Sequence, residues 1–163
     1  MILNFPILLL AALVPMIIGF IWYNPKVFGK AWMEASGKTD EKVKGGNMVV
    51  IFGLSFVLAF MLSYAVNGMV IHQNHLFSLF FGQEESYNQT IEYLNANHEG
   101  WMGNWRDFRH GSIHVFFGGL FFAMPVLITN ALFERKGFKY ALVNGGYWIV
   151  TLTLMGGVIC QFS

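Results

Sequence analysis

Four apolar stretches, each long enough to cross a lipid bilayer, constrain this chain more than any other feature. They cover residues 2–23, 48–71, 111–133 and 140–162, and none of them has Asp, Glu, Lys or Arg in its interior. A spanning helix needs about 20 mostly apolar residues, at a rise of about 1.5 Å per residue. The sequence therefore predicts an all-α membrane protein, a bundle of four transmembrane helices.

The overall composition supports this class. The chain has 163 residues, of which 55% are hydrophobic and 12% are charged, whereas a soluble domain carries about 25% charged residues. The length favours a single transmembrane domain over residues 1–163. A net charge of +1, without a long basic run, gives no reason to expect nucleic-acid binding, so the lipid bilayer is the expected partner.

The basic residues are divided unequally between the loops. Eight of the ten lie in loops 24–47 and 134–139, and only Arg106 and Arg109 lie in the longer loop 72–110 between the second and third helices. Loops rich in Lys and Arg stay in the cytoplasm. We therefore expect loops 24–47 and 134–139 to be cytoplasmic, with both termini and loop 72–110 outside. The outer loop is expected to contain a short helix at 86–94.

Small residues in the last two stretches predict close helix packing. Gly111, Gly118 and Gly119 lie in the third stretch, and Gly145, Gly146, Gly156 and Gly157 lie in the fourth. Helices in a bilayer are held together by close backbone approach and interhelical hydrogen bonds. We expect these two helices to form a tight antiparallel hairpin, and the protein to form a homo-oligomer or to join a larger membrane complex. Pro15 predicts a kink in the first helix.

The five histidines all lie between His72 and His114. His72 and His75 are three residues apart, and His110 and His114 are four apart, so each pair shares one face of a helix. Both pairs fall at the outer ends of neighbouring helices, where four imidazoles would meet at one depth. Imidazole is a ligand for Zn, Cu, Fe and Ni. The sequence makes this cluster the candidate metal site, with Zn or Cu as the ion, while surface or hydrogen-bonding histidines are the simpler alternative.

No other pattern of catalytic residues is present. The chain lacks a nucleophile–base set, a phosphate-binding loop and a dinucleotide fingerprint. The leading hypothesis is therefore a non-enzymatic membrane module, or a subunit of a complex, that binds a partner protein or lipid. A metal-binding membrane protein or enzyme that uses the histidine cluster is the second hypothesis. A small-solute transporter is the third, and the lack of an acid or base near mid-membrane argues against proton coupling.

Several segments together suggest a family. They are residues 19–32 (GFIWYNPKVFGKAW), His110 and Gly111, Pro125, residues 130–135 (NALFER), Tyr147 and Trp148, and residues 154–157 (LMGG). These segments resemble a bacterial family of four-span membrane proteins of unknown function, DUF1761. The resemblance implies a small bacterial membrane protein with four helices, and it implies no activity, cofactor or catalytic residue. We expect the protein to lie in the bacterial inner (cytoplasmic) membrane. Loop 73–109 carries none of the motifs.

Overall fold

The computed structural model describes residues 3–39 and 46–163. The described part of the chain contains four long apolar helical spans. They are Phe5–Trp22, Met48–Val70, Phe108–Phe133 and Phe138–Phe162, and are called spans 1 to 4. Each is long and apolar enough to cross a membrane, so the predicted all-α fold class with four spans is confirmed. Residue 2 of the first predicted stretch and residues 40–45 of the predicted basic loop lie outside the described residues.

Two of the spans are interrupted helices, and further helices lie in the connections. The α-helices are α1 (Phe5–Ala11), α2 (Val14–Trp22), α3 (Gly29–Ser36), α4 (Met48–Val70), α5 (Gln73–Leu79), α6 (Glu84–Asn97), α7 (Phe108–Gly118), α8 (Met124–Phe133) and α9 (Phe138–Phe162). A 3₁₀ turn lies at Trp101–Gly103, and a π-helical turn at Gly119–Ala123 joins α7 to α8. The connection between spans 2 and 3 is therefore largely helical, and the short helix expected there is α6.

Prolines explain both interruptions. Pro15 is the second residue of α2, and Pro125 is the second residue of α8. Proline has no N–H, and its ring collides with the carbonyl four residues earlier, so the preceding turn cannot close as a regular α-helix. Span 1 breaks between Ala11 and Val14, which is the kink predicted from Pro15. Span 3 instead widens into its π-helical turn.

Contacts between distant residues define the two ends of the bundle. At one end, the histidine end, Asn4 Nδ2 donates to the Phe162 carbonyl at 3.2 Å. At the opposite end, the basic end, Trp22 Nε1 donates to the Val143 carbonyl at 3.0 Å. Spans 1 and 4 are therefore antiparallel. The contact of Gly111 with Gly156 and that of His72 with His110 place the start of span 3 and the connection that follows span 2 at the histidine end.

Span 4 lies at the centre of the bundle. Half of the residues in its most apolar window are buried, against 17–22% in the other three spans. A buried hydrogen bond joins span 4 to span 1, in which the Tyr147 hydroxyl donates to the Pro15 carbonyl oxygen at 2.8 Å. Span 4 thus positions the other helices, while most apolar residues of span 2 face outward, as expected for a surface in contact with lipid.

Glycines allow spans 3 and 4 to approach closely at the histidine end. A Cβ atom built on Gly156 would lie 2.6 Å from the Gly111 carbonyl oxygen, and one built on Gly111 would lie 2.8 Å from the Gly156 carbonyl carbon. Two backbones can approach this closely only where neither residue has a side chain. The predicted tight antiparallel hairpin is confirmed, and its closest contact is one residue from His110.

Candidate metal centre

Three histidines converge at the histidine end. His72 lies two residues beyond the end of span 2 and precedes α5, while His110 and His114 lie in the first two turns of span 3. The Nε2 atoms of His72 and His110 are 2.7 Å apart. The His72 and His114 ring centroids are 4.9 Å apart, and those of His110 and His114 are 4.3 Å apart. We call these three residues the histidine triad.

The triad has suitable dimensions for one metal ion. One ring nitrogen from each residue can be chosen so that all three lie within 4.8 Å of one another. Two imidazole nitrogens on a tetrahedral Zn²⁺, each with a bond of about 2.0 Å, are about 3.3 Å apart. The His72–His110 contact is shorter than that, so binding requires these two rings to open by a few tenths of an ångström. The three nitrogens spread over as much as 4.8 Å, so binding also requires the more distant rings to move closer. With these adjustments the triad could hold a metal ion.

The protonation state of the triad also suits ligation. The 2.7 Å contact between His72 and His110 needs one N–H donor and one lone-pair acceptor, so both rings cannot be protonated. Burial lowers the pKa of His72, and the neighbouring imidazoles of His114, His110 and His75 lower it further because they repel a positive charge. A metal ion needs neutral imidazole, which is the form that this environment favours.

Local capping positions the two histidines of span 3. Asp107 precedes α7, and its carboxylate accepts a hydrogen bond from the backbone N–H of His110 at 2.8 Å. A side chain that accepts from the first turn of a helix satisfies an otherwise unpaired donor and fixes where the helix begins. This cap starts span 3 three residues before the predicted boundary at residue 111, so that His110 and His114 both lie on a regular helix.

Trp105 covers one side of the triad, and its place there was not predicted. Its ring centroid lies 5.5 Å from that of His110, and its backbone has a positive φ of 63°. Cys160 Sγ lies 3.2 Å from the Trp105 carbonyl and donates to it, while Arg106 donates to the Ser163 carbonyl at 3.0 Å. The end of span 4 thus anchors the turn before His110. The sequence carries no local signal for this contact, because it depends on how the connection folds back on span 4.

The structure brings together three of the four predicted ligands. His75 is next to the triad, with its ring centroid 5.7 Å from that of His72, but its Nε2 atom lies 3.0 Å from the Gly68 carbonyl. This hydrogen bond turns it back towards span 2. The fifth histidine, His98, lies after α6 and contacts Tyr93, with ring centroids 6.0 Å apart. Three imidazoles leave the fourth position of a tetrahedral ion open for water or another ligand.

Comparison with known proteins places the chain in a family but supplies no activity. No curated protein and no solved structure matches the chain. Residues 7–160 match a family described as a protein of unknown function, DUF1761. The match covers spans 2 and 3, most of spans 1 and 4, and the three residues of the triad. The chain therefore belongs to the DUF1761 family of proteins of unknown function.

Proposed function

We propose that this protein binds one transition-metal ion, Zn²⁺ or Cu²⁺, through His72, His110 and His114. The observation that supports the proposal best is the convergence within 4.8 Å of ring nitrogens from span 3 and from the connection that follows span 2. All ligands are imidazole nitrogens, which suit Zn and Cu better than they suit Mg or Ca. The alternative is a cluster of neutral histidines that only bond to one another.

The proposal changes the ranking that the sequence suggested. A non-enzymatic module that binds a partner protein or lipid was the leading hypothesis, because the sequence shows no charge near mid-membrane and no nucleophile–base set. The His72–His110 contact joins residues that are 38 positions apart in the chain, and this juxtaposition favours the metal-binding hypothesis. The partner-binding and transporter hypotheses stay predictions.

A metal titration tests the proposal. The purified full chain is stripped of metal with a chelator and titrated with Zn²⁺ or Cu²⁺ against a chromophoric competitor. We expect one equivalent to bind, and His114→Ala to weaken binding by at least tenfold, since even residues that only orient metal ligands contribute 10–100-fold in affinity. His98→Ala is the matched control and should bind as the wild type does. Equal affinity of His114→Ala and wild type would refute the site.

The placement of the triad relative to the membrane is also a proposal. The unequal division of basic residues, eight against two, supports a histidine end outside the cytoplasmic membrane of a bacterium. Thr39 and Asn88 are both exposed and lie on opposite sides in this arrangement. Labelling of Thr39→Cys and Asn88→Cys with a membrane-impermeant thiol reagent in intact cells tests it. We expect only Asn88→Cys to react, and reaction of Thr39→Cys alone would reverse the orientation.

Self-association is proposed on the basis of span 2. None of residues 48–58 in its basic half is buried. This half borders a purely apolar groove of about 570 Å³, lined by Met16, Ile17, Phe20, Ile21 and Phe52. Val49, which is 83% exposed, is a suitable position for crosslinking. We expect Val49→Cys to form disulfide-linked dimers in membranes, while a chain that stays monomeric under oxidation would argue against self-association.

A further inference from the structure

A small polar cleft lies at the basic end, at the opposite end of the bundle from the histidine triad. It has a volume of about 170 Å³ and lies between α8 and the start of α9. Its lining is partly polar and partly apolar. Its polar lining residues are Asn130, Glu134, Tyr140 and Asn144.

Three oxygen-bearing side chains of this cleft are available to a ligand. The structure shows no hydrogen bond or ion pair for the side chains of Asn130 and Glu134, or for the Tyr140 hydroxyl, among the residues that it describes. Glu134 is one helical turn beyond Asn130, so the two side chains lie on one face of α8 and its C-terminal extension. All three can accept hydrogen bonds, and Glu134 adds a negative charge.

The depth of the cleft connects it with lipid. Asn130 lies within span 3, and its side chain is exposed on the surface of the bundle. Phe133 and Phe138 flank the same connection and are 86% and 71% exposed, which is favourable only where apolar material covers them. A carboxamide that faces hydrocarbon without a partner is costly. The cleft therefore opens at the depth where lipid headgroups meet acyl chains.

A positive charge lies beside this cluster of acceptors. Lys136 Nζ is 5.8 Å from the centre of the Tyr140 ring and donates to the Ser36 carbonyl at 2.9 Å. The cationic group of a ligand can therefore contact the Glu134 carboxylate, while an anionic group of the same ligand lies near the Lys136 ammonium. A volume of about 170 Å³ is smaller than the 300–1,000 Å³ typical of sites for drug-sized ligands, so only a headgroup fits inside.

We propose that this cleft binds the primary ammonium group of a phosphatidylethanolamine headgroup from the leaflet at the basic end. The ammonium donates to the Glu134 carboxylate, the Asn130 carboxamide oxygen and the Tyr140 hydroxyl, and the phosphate lies towards Lys136. Choline has no N–H donor and is larger than ethanolamine. The cleft should therefore distinguish the two headgroups by hydrogen bonding, since a polar site left unpaired by a ligand disfavours that ligand.

Native mass spectrometry of the full chain in detergent tests this proposal. The protein is titrated with phosphatidylethanolamine and with phosphatidylcholine of the same acyl chains, and separately with soluble phosphoethanolamine. We expect at least a fivefold preference for phosphatidylethanolamine over phosphatidylcholine. Glu134→Leu, which removes the acceptor, should abolish the preference, and Asn130→Leu should weaken it. The control Glu92→Leu, at an exposed position on α6, should retain it.

Two outcomes would overturn the proposal. Equal binding of the two phospholipids by the wild type would show that the ammonium group is not recognised. Soluble phosphoethanolamine bound as tightly as the phospholipid would assign the cleft to a water-soluble amine instead of a lipid. Neither result bears on metal binding, because the triad lies at the other end of the bundle.

Discussion

Replacing Gly111 with alanine should separate spans 3 and 4 at the histidine end. The added methyl group would overlap the Gly156 carbonyl and the Cys160 side chain, and the carbonyl cannot move away without moving span 4. Overpacking of this kind costs about 1–3 kcal/mol. Alanine is favoured over glycine within a helix by about 0.5–1 kcal/mol, which offsets part of the cost. Gly53→Ala is a matched control, because a Cβ atom there meets nothing within 4 Å.

The difference between the two variants isolates the steric cost, since both gain the same helix propensity. Unfolding of the purified protein in a fixed detergent, followed by circular dichroism, gives the free energy of unfolding of each. We expect Gly111→Ala to be less stable than Gly53→Ala by about 1–3 kcal/mol. It should also bind Zn²⁺ more weakly, because His110 is the neighbouring residue. Equal stability of the two variants would refute the close contact between spans 3 and 4.

Three further predictions concern single interactions. Tyr147→Phe removes the hydrogen bond to the Pro15 carbonyl and should lower the free energy of unfolding by about 0.6–1.7 kcal/mol, measured by the same detergent unfolding. Metal affinity measured by competition should be constant above about pH 6.5 and fall below it, because protons then compete for the imidazoles. Burial lowers the pKa of His72, so its protonation contributes to the fall only below the ordinary imidazole range, and affinity that rises on acidification would contradict the prediction. Glu34→Gln should leave thermal stability at pH 7 unchanged, since its ion pair with Lys139 is solvent-exposed and contributes little.

The spans could be predicted from the sequence because membrane insertion depends on the length of uncharged apolar runs. The boundaries were less accurate where a polar residue fixed the start of a helix. Asp107 extends span 3 to Phe108, three residues earlier than hydropathy suggests. The effect of each proline on its helix could also be predicted only in part from the sequence. Pro15 breaks its helix, whereas Pro125 follows a π-helical turn, and proline alone does not predict which of the two forms.

The histidine cluster could be located from the sequence but not resolved in detail. The i, i+4 spacing of His110 and His114 was sufficient to place both on one face, because they share a regular helix. The spacing of His72 and His75 predicted the orientation of these two side chains less well. Span 2 ends at Val70, so the pair straddles the junction with α5, and His75 bonds to the carbonyl of Gly68 instead of joining the triad. The contact of Trp105 with His110 depends on long-range folding alone.

The central claim is that three imidazoles, one just beyond span 2 and two in span 3, bind one metal ion. X-ray absorption spectroscopy of the full chain loaded with one equivalent of Zn²⁺ tests it most directly, because the spectrum counts imidazole ligands and measures their distance. The account predicts three imidazole nitrogens at about 2.0–2.1 Å. It also predicts the loss of this signal when His72, His110 and His114 are all replaced by alanine. A first shell of oxygen ligands only, or a spectrum unchanged in that triple variant, would contradict the account.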